Sequence, residues 1–155
     1  MHSDALSSSN LSVDPVFFAL LTGSYARLTG SPLAAPGRGA DWLYHDAPFV
    51  VLAHNGEGDP HFIYANRTAQ ACFDYPLDEF VTLPSRLSAE APDRAERQRL
   101  LDEVTNSGFV SNYSGIRVAK SGRRFRIENG VVWQLIDADG ILRGQAATFS
   151  SWHDV

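Results

Sequence analysis

The stretch Val51–Phe73 constrains the fold of this 155-residue chain more than any other segment. An apolar run at Phe49–Ala53 meets a polar turn, and a second short apolar run follows at Phe62–Tyr64. Asn66 stands where the second strand would end and a helix would begin. An asparagine suits that position because its side chain accepts hydrogen bonds from the free N–H groups of a first helical turn. This order predicts two paired strands followed directly by a helix.

Composition limits the class of protein. A chain of this length with 44% hydrophobic residues predicts one globular domain. The single cysteine, Cys72, excludes an internal disulfide framework. A net charge of −5 argues against non-specific nucleic-acid binding, and no apolar run is long enough to predict a membrane-spanning helix. Because the first residues lack the pattern of a secretion signal, we expect a cytoplasmic protein with no nucleic-acid or membrane partner.

The chain is expected to consist of a short tail and one domain. Residues 1–12 are rich in serine and predict a flexible N-terminus, whereas residues 13–155 predict a single domain with its core at about 47–152. A short turn or helical piece is expected at 41–46, further helices at 77–83 and 93–107, and further strands at 109–119, 123–137 and 141–149. Two strands, then helices, then three strands joined by tight turns predict an α+β fold with one antiparallel sheet.

A flanking helix is predicted over residues 14–29, before the core. Asp14 is a suitable N-cap, Pro15 fits the first turn, and Gly30 favours the end of the helix. The helix carries an apolar stripe of Phe17, Leu20, Leu21, Tyr25 and Leu28. Such a stripe must be buried. We expect it to be buried in a homodimer, and the alternative is that it packs on the sheet of its own chain.

The segment around Asn66 resembles the opening of PAS sensory domains. It contains Tyr-x-Asn-x-x-Ala, from Tyr64 to Ala69, followed by Phe-x-Tyr, from Phe73 to Tyr75. The resemblance implies a PAS-like α+β fold with a five-stranded antiparallel sheet in the order 2-1-5-4-3. The helices would lie on one face of this sheet, and the N-terminal helix would be an addition to that arrangement.

Later motifs make the resemblance closer and point to the MEKHLA domain, a PAS-related family. The segments concerned are LPSRLSAEAPDRAERQRLL at 83–101, YSGIRVAKSGRRFRIE at 113–128, VVW at 131–133 and GQAATF at 144–149. Of these, the block Pro84–Ala89 is the most specific. The family occurs as small stand-alone bacterial proteins and in plant transcription factors. It implies a sensory or regulatory role, and it implies no particular chemistry.

In a PAS arrangement a ligand would lie between the sheet and the helices. The side chains expected to line that space are Phe62, Tyr64, Phe73, Leu87, Leu101, Phe125, Asn129, Trp133 and Gln145. Alternation along the strand 123–137 puts Phe125, Ile127, Val131, Trp133 and Leu135 on one face. Asn129 falls among this apolar set, so it either faces the ligand space or belongs to a β-bulge with Gly130.

A second group of residues could form a polar site. It comprises His54, Asn55, Arg86, Arg94 and Arg97. The arginines could face a bound anion or could belong to a solvated helix face of ion pairs. His54, Asn55 and His61, with Glu57 or Asp59, could in principle bind a metal, but their spacing matches no zinc pattern and the residue types also suit a polar hairpin.

The sequence identifies no cofactor. The motif of flavin-binding light sensors would place a cysteine near Pro84–Leu87, and none is present there. Cys72 is predicted to be a buried thiol of the hydrophobic core. The predicted helix 93–107 contains no histidine that could bind haem. Flavin and haem are therefore not expected. The sequence also contains no recognisable motif that pairs a catalytic nucleophile with a general base, so we do not expect an enzyme.

Three functional hypotheses follow. The first is a stand-alone sensory or regulatory module that binds a small molecule or a signalling protein and signals through conformational change. The second is a protein–protein interaction domain whose core is filled by large side chains and holds no ligand. The third is a small metal-binding protein or enzyme that uses His54 and its neighbours. The presence or absence of a cavity between sheet and helices distinguishes the first from the second.

Overall fold

The structure is a computed structural model that describes residues 11–155. Its first helix, α1 (Pro15–Thr29), begins as the sequence predicts, because the Asp14 carboxylate accepts a hydrogen bond from the Val16 N–H at 3.1 Å. It ends at Gly30, which adopts a left-handed φ of 78°. Most of the tail expected at 1–12 lies outside the described residues. Leu11, which is described, is buried.

The remaining elements follow in the expected order, with two additions. They are α2 (Ala40–His45), β1 (Val50–Asn55), β2 (Phe62–Ala65), α3 (Arg67–Phe73), α4 (Leu77–Phe80), a 3₁₀ turn (Ser85–Ser88), α5 (Ala91–Ser107), β3 (Phe109–Val118), β4 (Arg124–Ile136), β5 (Leu142–Phe149) and β6 (Ser151–Asp154). The sequence did not predict the 3₁₀ turn or β6. Both span four residues, too few for a periodic pattern to show.

The sheet is antiparallel with the order β2-β1-β5-β4-β3, as expected from the resemblance to PAS domains. The sixth strand, β6, pairs with the first part of β4, where Phe125 lies opposite Asp154 and Glu128 opposite Ser151. The second part of β4 pairs with β5. The 13 residues of β4 are therefore long enough to hold two neighbours in succession on the same edge.

Asn66 connects four segments at the start of α3. Its fully buried side chain accepts hydrogen bonds from the N–H groups of Ala69 and Val51, at 3.0 and 3.1 Å. Its amide donates to the carbonyls of Leu43 and Phe49, at 3.1 and 3.0 Å. The predicted cap thus also ties α2 and the start of β1 to α3, and all the polar capacity of a buried side chain is used.

Helix α1 packs on the sheet of its own chain. Phe17 and Leu21 are buried there, and the Tyr25 ring meets Trp133 edge-on with ring centroids 4.8 Å apart. The Ser24 hydroxyl donates to the Ile136 carbonyl and accepts from the Ile136 N–H, both at 2.9 Å. Phe17 and Leu21 are thus buried without a second copy, and Leu20, Tyr25 and Leu28 are partly buried, so the stripe packs on its own chain as the alternative predicts.

The two faces of the sheet carry two separate cores. Helices α3, α4 and α5 cover the face that we call inner, and α1 and α2 cover the opposite, outer face. The additional N-terminal helix therefore forms a layer of its own, and the inner face carries the helices typical of this fold class.

A bulge in β4 changes which side chains reach each core. Asn129 has a left-handed φ of 54° and is exposed, as the bulge alternative predicts. Phe125 and Ile127 lie in the inner core before the bulge, but Trp133 lies in the outer core after it. The expectation that these residues share one face is therefore wrong, because one inserted residue reverses the alternation of every side chain that follows.

Candidate ligand-binding cavity

A cavity of about 60 Å³ lies between the inner face of the sheet and helix α5. Its apolar walls include Leu52, Phe62, Phe73, Leu100, Leu101, Ile127, Val132 and Phe149. Its polar lining comprises His54, Ser88, Arg97, Tyr113, Arg117, Gln145 and Thr148. At roughly 10–15 Å³ for each water molecule, the space holds about four to six. It is therefore a small site with many polar groups in its walls.

Arg97 brings a buried positive charge to this cavity. Its side chain extends from α5, the residue is only 7% exposed, and its Nη2 donates to the Ser85 hydroxyl at 2.5 Å. Within residues 11–155, no carboxylate oxygen lies within 4.0 Å of its guanidinium. Burial, and then the charge of Arg117, lower the pKa of Arg97 to about 10. Arg97 is thus still charged at neutral pH, and it lacks a counter-ion.

Arg117 is the second buried cation, and it does have a counter-ion. Its Nη2 donates to the Tyr113 hydroxyl at 3.0 Å, and its Nη1 lies 3.7 Å from a carboxylate oxygen of Glu96. The Tyr113 hydroxyl in turn donates to Glu96 at 2.9 Å. Burial raises the pKa of Tyr113 to about 12, so the phenol keeps the proton that it donates. Glu96 balances the charge of Arg117 through this pair of contacts.

Gly115 allows Tyr113 to take this position on β3. A Cβ atom added at Gly115 would overlap the Tyr113 hydroxyl, so the phenol ring lies directly over the glycine. The Arg117 guanidinium stacks near the same ring, 5.5 Å from its centroid. The motif Tyr-Ser-Gly-Ile-Arg at 113–117 therefore encodes one packed unit that faces the cavity.

His54 brings an unpartnered acceptor to the cavity. Its Nδ1 lies 2.8 Å from the Asn55 carbonyl, which can only accept, so Nδ1 carries the proton. Its Nε2 is buried and has no hydrogen-bond partner, although the residue as a whole is only half-buried. Burial is the main cause that lowers the pKa of His54 to about 4, and the charge of Arg97 acts in the same direction. At neutral pH the ring is uncharged, and Nε2 offers a lone pair.

Gln145 supplies a second unpartnered acceptor beside the first. It lies opposite His54 in the pairing of β1 with β5, and it is 8% exposed. Its amide nitrogen donates to the Thr105 hydroxyl and the Leu101 carbonyl of α5, at 3.2 and 3.4 Å. These contacts set the orientation of the amide and leave the buried Oε1 without a partner. Two orphaned acceptors thus line one cavity.

Only part of the expected lining lies at this cavity. The residues that do are Phe62, Phe73, Leu101 and Gln145 from the first group and His54 and Arg97 from the polar group. Tyr64 and Trp133 lie in the outer core, where the Tyr64 ring meets Phe17 at 5.3 Å. A register shift between Ala53 and His54 in the pairing of β1 with β2 separates Tyr64 from Phe62, just as the β4 bulge displaces Trp133.

Three further members of the expected lining lie elsewhere. Asn129 is exposed at the bulge, half-buried Leu87 belongs to the 3₁₀ turn, and Phe125 is buried in the inner core against Phe73. None of these side chains borders the cavity. Phe125 fills space beneath the site rather than lining it.

The remaining polar candidates hold loops in place. Buried Asn55 accepts from the N–H groups of Glu57 and His61, at 3.4 and 3.3 Å, and so closes the turn between β1 and β2. Arg86 pairs with Asp59 at the surface, and exposed Arg94 donates to the Ala89 carbonyl at 3.0 Å. Among the described residues, no three His, Cys, Asp or Glu side chains are grouped to hold a metal ion.

The sequence interpretation missed five polar residues of the site. They are Ser85, Ser88, Tyr113, Arg117 and Thr148. All five lie inside the motifs that carry the family resemblance, and those motifs were the one signal in the sequence that could have identified them. The linear motifs do not show which of these residues contact one another, because β3 meets α5 and the 3₁₀ turn only in the folded chain.

Comparison with solved structures defines the class of fold. A PAS domain of a protein from Colwellia psychrerythraea matches with a TM-score of 0.61 and 12% identity, over 74% of this chain and 92% of that chain. A PAS domain from a two-component sensor histidine kinase matches with a TM-score of 0.56 and 16% identity, over 75% and 93%. The fold is therefore that of a PAS domain.

The family model of the MEKHLA domain matches residues 5–154. The chain belongs to the MEKHLA domain family, and both the resemblance and the fold expected from it are confirmed. Among curated proteins, none matches the sequence. In the part of the chain that the structure describes, no helix combines the length and the apolar character needed to cross a bilayer.

The cavity can be compared with the space that a flavin needs, because one similar structure is linked to this cofactor. One similar structure is a light-oxygen-voltage domain studied with a flavin analogue, with a TM-score of 0.54 and 16% identity over 69% of this chain and 76% of that chain. A cavity of about 60 Å³ is far below the ~300–1,000 Å³ of ordinary ligand pockets, and a flavin has three fused rings. Cys72 does not line the cavity, and burial raises the pKa of its thiol to about 12. The site does not fit a flavin.

Proposed function

We propose that this protein is a sensory or regulatory module that binds a small molecule in the cavity beneath α5 and signals through conformational change. One observation carries the proposal: His54 Nε2 and Gln145 Oε1 are buried, lack partners and line the same cavity. Buried polar atoms are nearly always hydrogen-bonded, so a pair of orphaned acceptors beside open space indicates a missing donor. The fold class supports the sensory role, and we propose no catalytic activity.

Ligand binding would act on the packing of α5. The helix contributes Arg97 to the cavity, and its Leu101 carbonyl and Thr105 hydroxyl hold Gln145 of β5. A ligand that bonds to both Arg97 and Gln145 would favour one distance between helix and sheet over others. Such a ligand shifts the population of conformers by its difference in affinity for them.

The packing of α5 has a physical connection to the outer layer. The N–H of Gln134 on β4 donates to the Gly108 carbonyl at the end of α5, at 3.0 Å. Two residues further along β4, Ile136 exchanges two hydrogen bonds with Ser24 of α1. We propose that movement of α5 reaches α1 along β4, since these contacts are continuous. Substitutions at Ser24 would then change the signal while leaving ligand affinity intact.

The proposal extends to assembly and location. Val16 on the exposed side of α1 is 70% exposed, and this side of the helix would contact a second copy in a homodimer or a signalling protein. The apolar stripe that faces the sheet would not take part. We place the protein in the cytoplasm, on the sequence pattern alone. Light scattering at micromolar concentration tests the homodimer, and a monomer would contradict it.

Native mass spectrometry and hydrogen exchange together test the function. The protein is purified from its own host and sprayed under non-denaturing conditions, and a bound small mass is expected. Removing that ligand should increase amide exchange in α5 and in β5, where the cavity walls lie. A bare protein whose exchange is insensitive to every added extract fraction would favour the alternative, an interaction domain with no ligand.

A further inference from the structure

The charges around the cavity do not balance within residues 11–155. Arg97 and Arg117 are both buried, and Glu96 is the carboxylate that contacts Arg117, directly and through the Tyr113 hydroxyl. The other titratable groups in the lining are His54 and Tyr113, which are uncharged at neutral pH. One positive charge therefore remains on Arg97. A buried cation is stable only with a compensating partner, so the cavity favours an occupant with one negative charge.

The geometry of the donor favours a planar anion. A guanidinium presents its N–H groups as a rigid fork that matches the two oxygens of a carboxylate. Ser85 accepts from Nη2 of Arg97, and no other hydrogen bond occupies this guanidinium within the described residues. The rest of the fork is therefore available to a carboxylate.

The two orphaned acceptors specify a second feature of the occupant. His54 Nε2 and Gln145 Oε1 both need a donor, and they extend from directly opposite positions on neighbouring strands. An ammonium group would meet them beside the charge of Arg97, which already lowers the pKa of His54. A hydroxyl group supplies one donor without that repulsion, and a water molecule can supply the other. The polar walls thus suit an occupant that combines a negative group with a neutral donor.

The volume of the cavity limits the size of its occupant. Space for about four to six water molecules accommodates about four to six non-hydrogen atoms, and glycolate has five and lactate six. The apolar walls, with Leu100, Ile127 and Phe149 among them, suit a short hydrocarbon portion. We propose that the cavity binds a small hydroxycarboxylate, with its carboxylate on Arg97 and its hydroxyl donating to Gln145, while a water molecule donates to His54. This assignment rests on the proposed function and names the ligand class for the same site.

Calorimetric titration with matched probes tests the assignment. Glycolate and lactate carry both groups, acetate and propionate lack the hydroxyl, and phosphate is a tetrahedral anion. At pH 7 we expect the 155-residue protein to bind glycolate or lactate at least tenfold more tightly than acetate or propionate. Equal affinity for the matched pairs, or tighter binding of phosphate than of any carboxylate, would overturn the assignment.

Variants separate the two halves of the site. Arg97→Gln should weaken every carboxylate at least tenfold, whereas Gln145→Met should remove the preference for the hydroxyl and leave propionate binding unchanged. Arg99→Gln is the control, because Arg99 lies on the same helix and is exposed. Lactate binding that survives Arg97→Gln would contradict the assignment.

NMR titration and native mass spectrometry test the assignment if a variant does not fold or if no carboxylate binds. If Arg97→Gln does not fold, NMR titration of the unchanged protein replaces it. The side-chain signals of Arg97 should shift with lactate and with saturating propionate, whereas the side-chain amide signals of Gln145 should shift with lactate alone. If no carboxylate binds and native mass spectrometry shows another bound molecule, the assignment fails while the proposed function stands. If neither a probe nor a co-purified molecule binds, both fail.

Discussion

Arg97 of α5 donates a hydrogen bond to the hydroxyl of Ser85, 2.5 Å away, and both residues are buried. Ser85 belongs to the block Pro84–Ala89, the most specific motif of the sequence, so this contact gives that motif a physical role. The 3₁₀ turn holds the base of α5 and fixes the guanidinium at the edge of the cavity. The hydroxyl of Ser88 donates to the Ser85 carbonyl at 2.7 Å and stabilises the turn.

Ser85→Ala should remove the one hydrogen bond that Arg97 makes within the described residues. An unsatisfied buried charged donor costs about 1–3 kcal/mol, and the free energy of unfolding should fall by that amount. Urea denaturation measures it. Ser150→Ala, at an exposed position between β5 and β6, is the matched control and should change stability by less than about 0.5 kcal/mol. Equal effects of the two substitutions would show that the contact contributes nothing.

Asn66→Ala should be among the most damaging polar substitutions in the chain. It leaves two carbonyls and two N–H groups without the partner that Asn66 provides, and the residue is fully buried. Since each unsatisfied buried group costs about 1–3 kcal/mol, we expect a loss of at least about 3 kcal/mol or no folded protein. Circular dichroism with denaturant measures the loss. Asn106→Ala, at an exposed position on α5, should leave the midpoint nearly unchanged.

Leu21→Arg should unfold the protein rather than split a dimer. Leu21 is fully buried between α1 and the outer face of the sheet, so an arginine there introduces an unpaired charge into the outer core. We expect a loss of about 3–5 kcal/mol. Val16→Arg, on the exposed side of the same helix, should leave stability intact and should weaken a homodimer if one forms. A folded monomeric Leu21→Arg variant from a dimeric parent would refute this assignment of faces.

Stability should fall as the pH is lowered from about 6.5 to about 4, in part because of His54. Its pKa is about 6.5 in the unfolded chain and about 4 in the folded protein, so protonation in this range favours the unfolded state. The stabilisation is complete above pH 6.5 and is lost by pH 4, and the expected difference is about 3 kcal/mol. His54→Gln should flatten this part of the pH–stability curve. His45→Gln, at an exposed site, should not.

The order of the elements and the ends of several of them follow from local chemistry. Asp14 and Gly30 bound α1, and Asn66 begins α3, because caps and left-handed positions depend on neighbours within a few residues. The motif resemblance added the sheet order. The resemblance, rather than these local signals, also placed the expected ligand space near Phe62, Phe73 and Gln145, and these three residues line the cavity.

Tertiary structure alone decided which side chains meet at the cavity. Irregular pairing in β1–β2 and the bulge in β4 reverse the alternation, and these place Tyr64 and Trp133 in the outer core. The contacts of Arg97 with Ser85, and of Arg117 with Glu96, join segments that only the fold brings together. Periodicity describes one strand or helix at a time, whereas a site is formed by packing between them, and that packing fixes charge balance and burial.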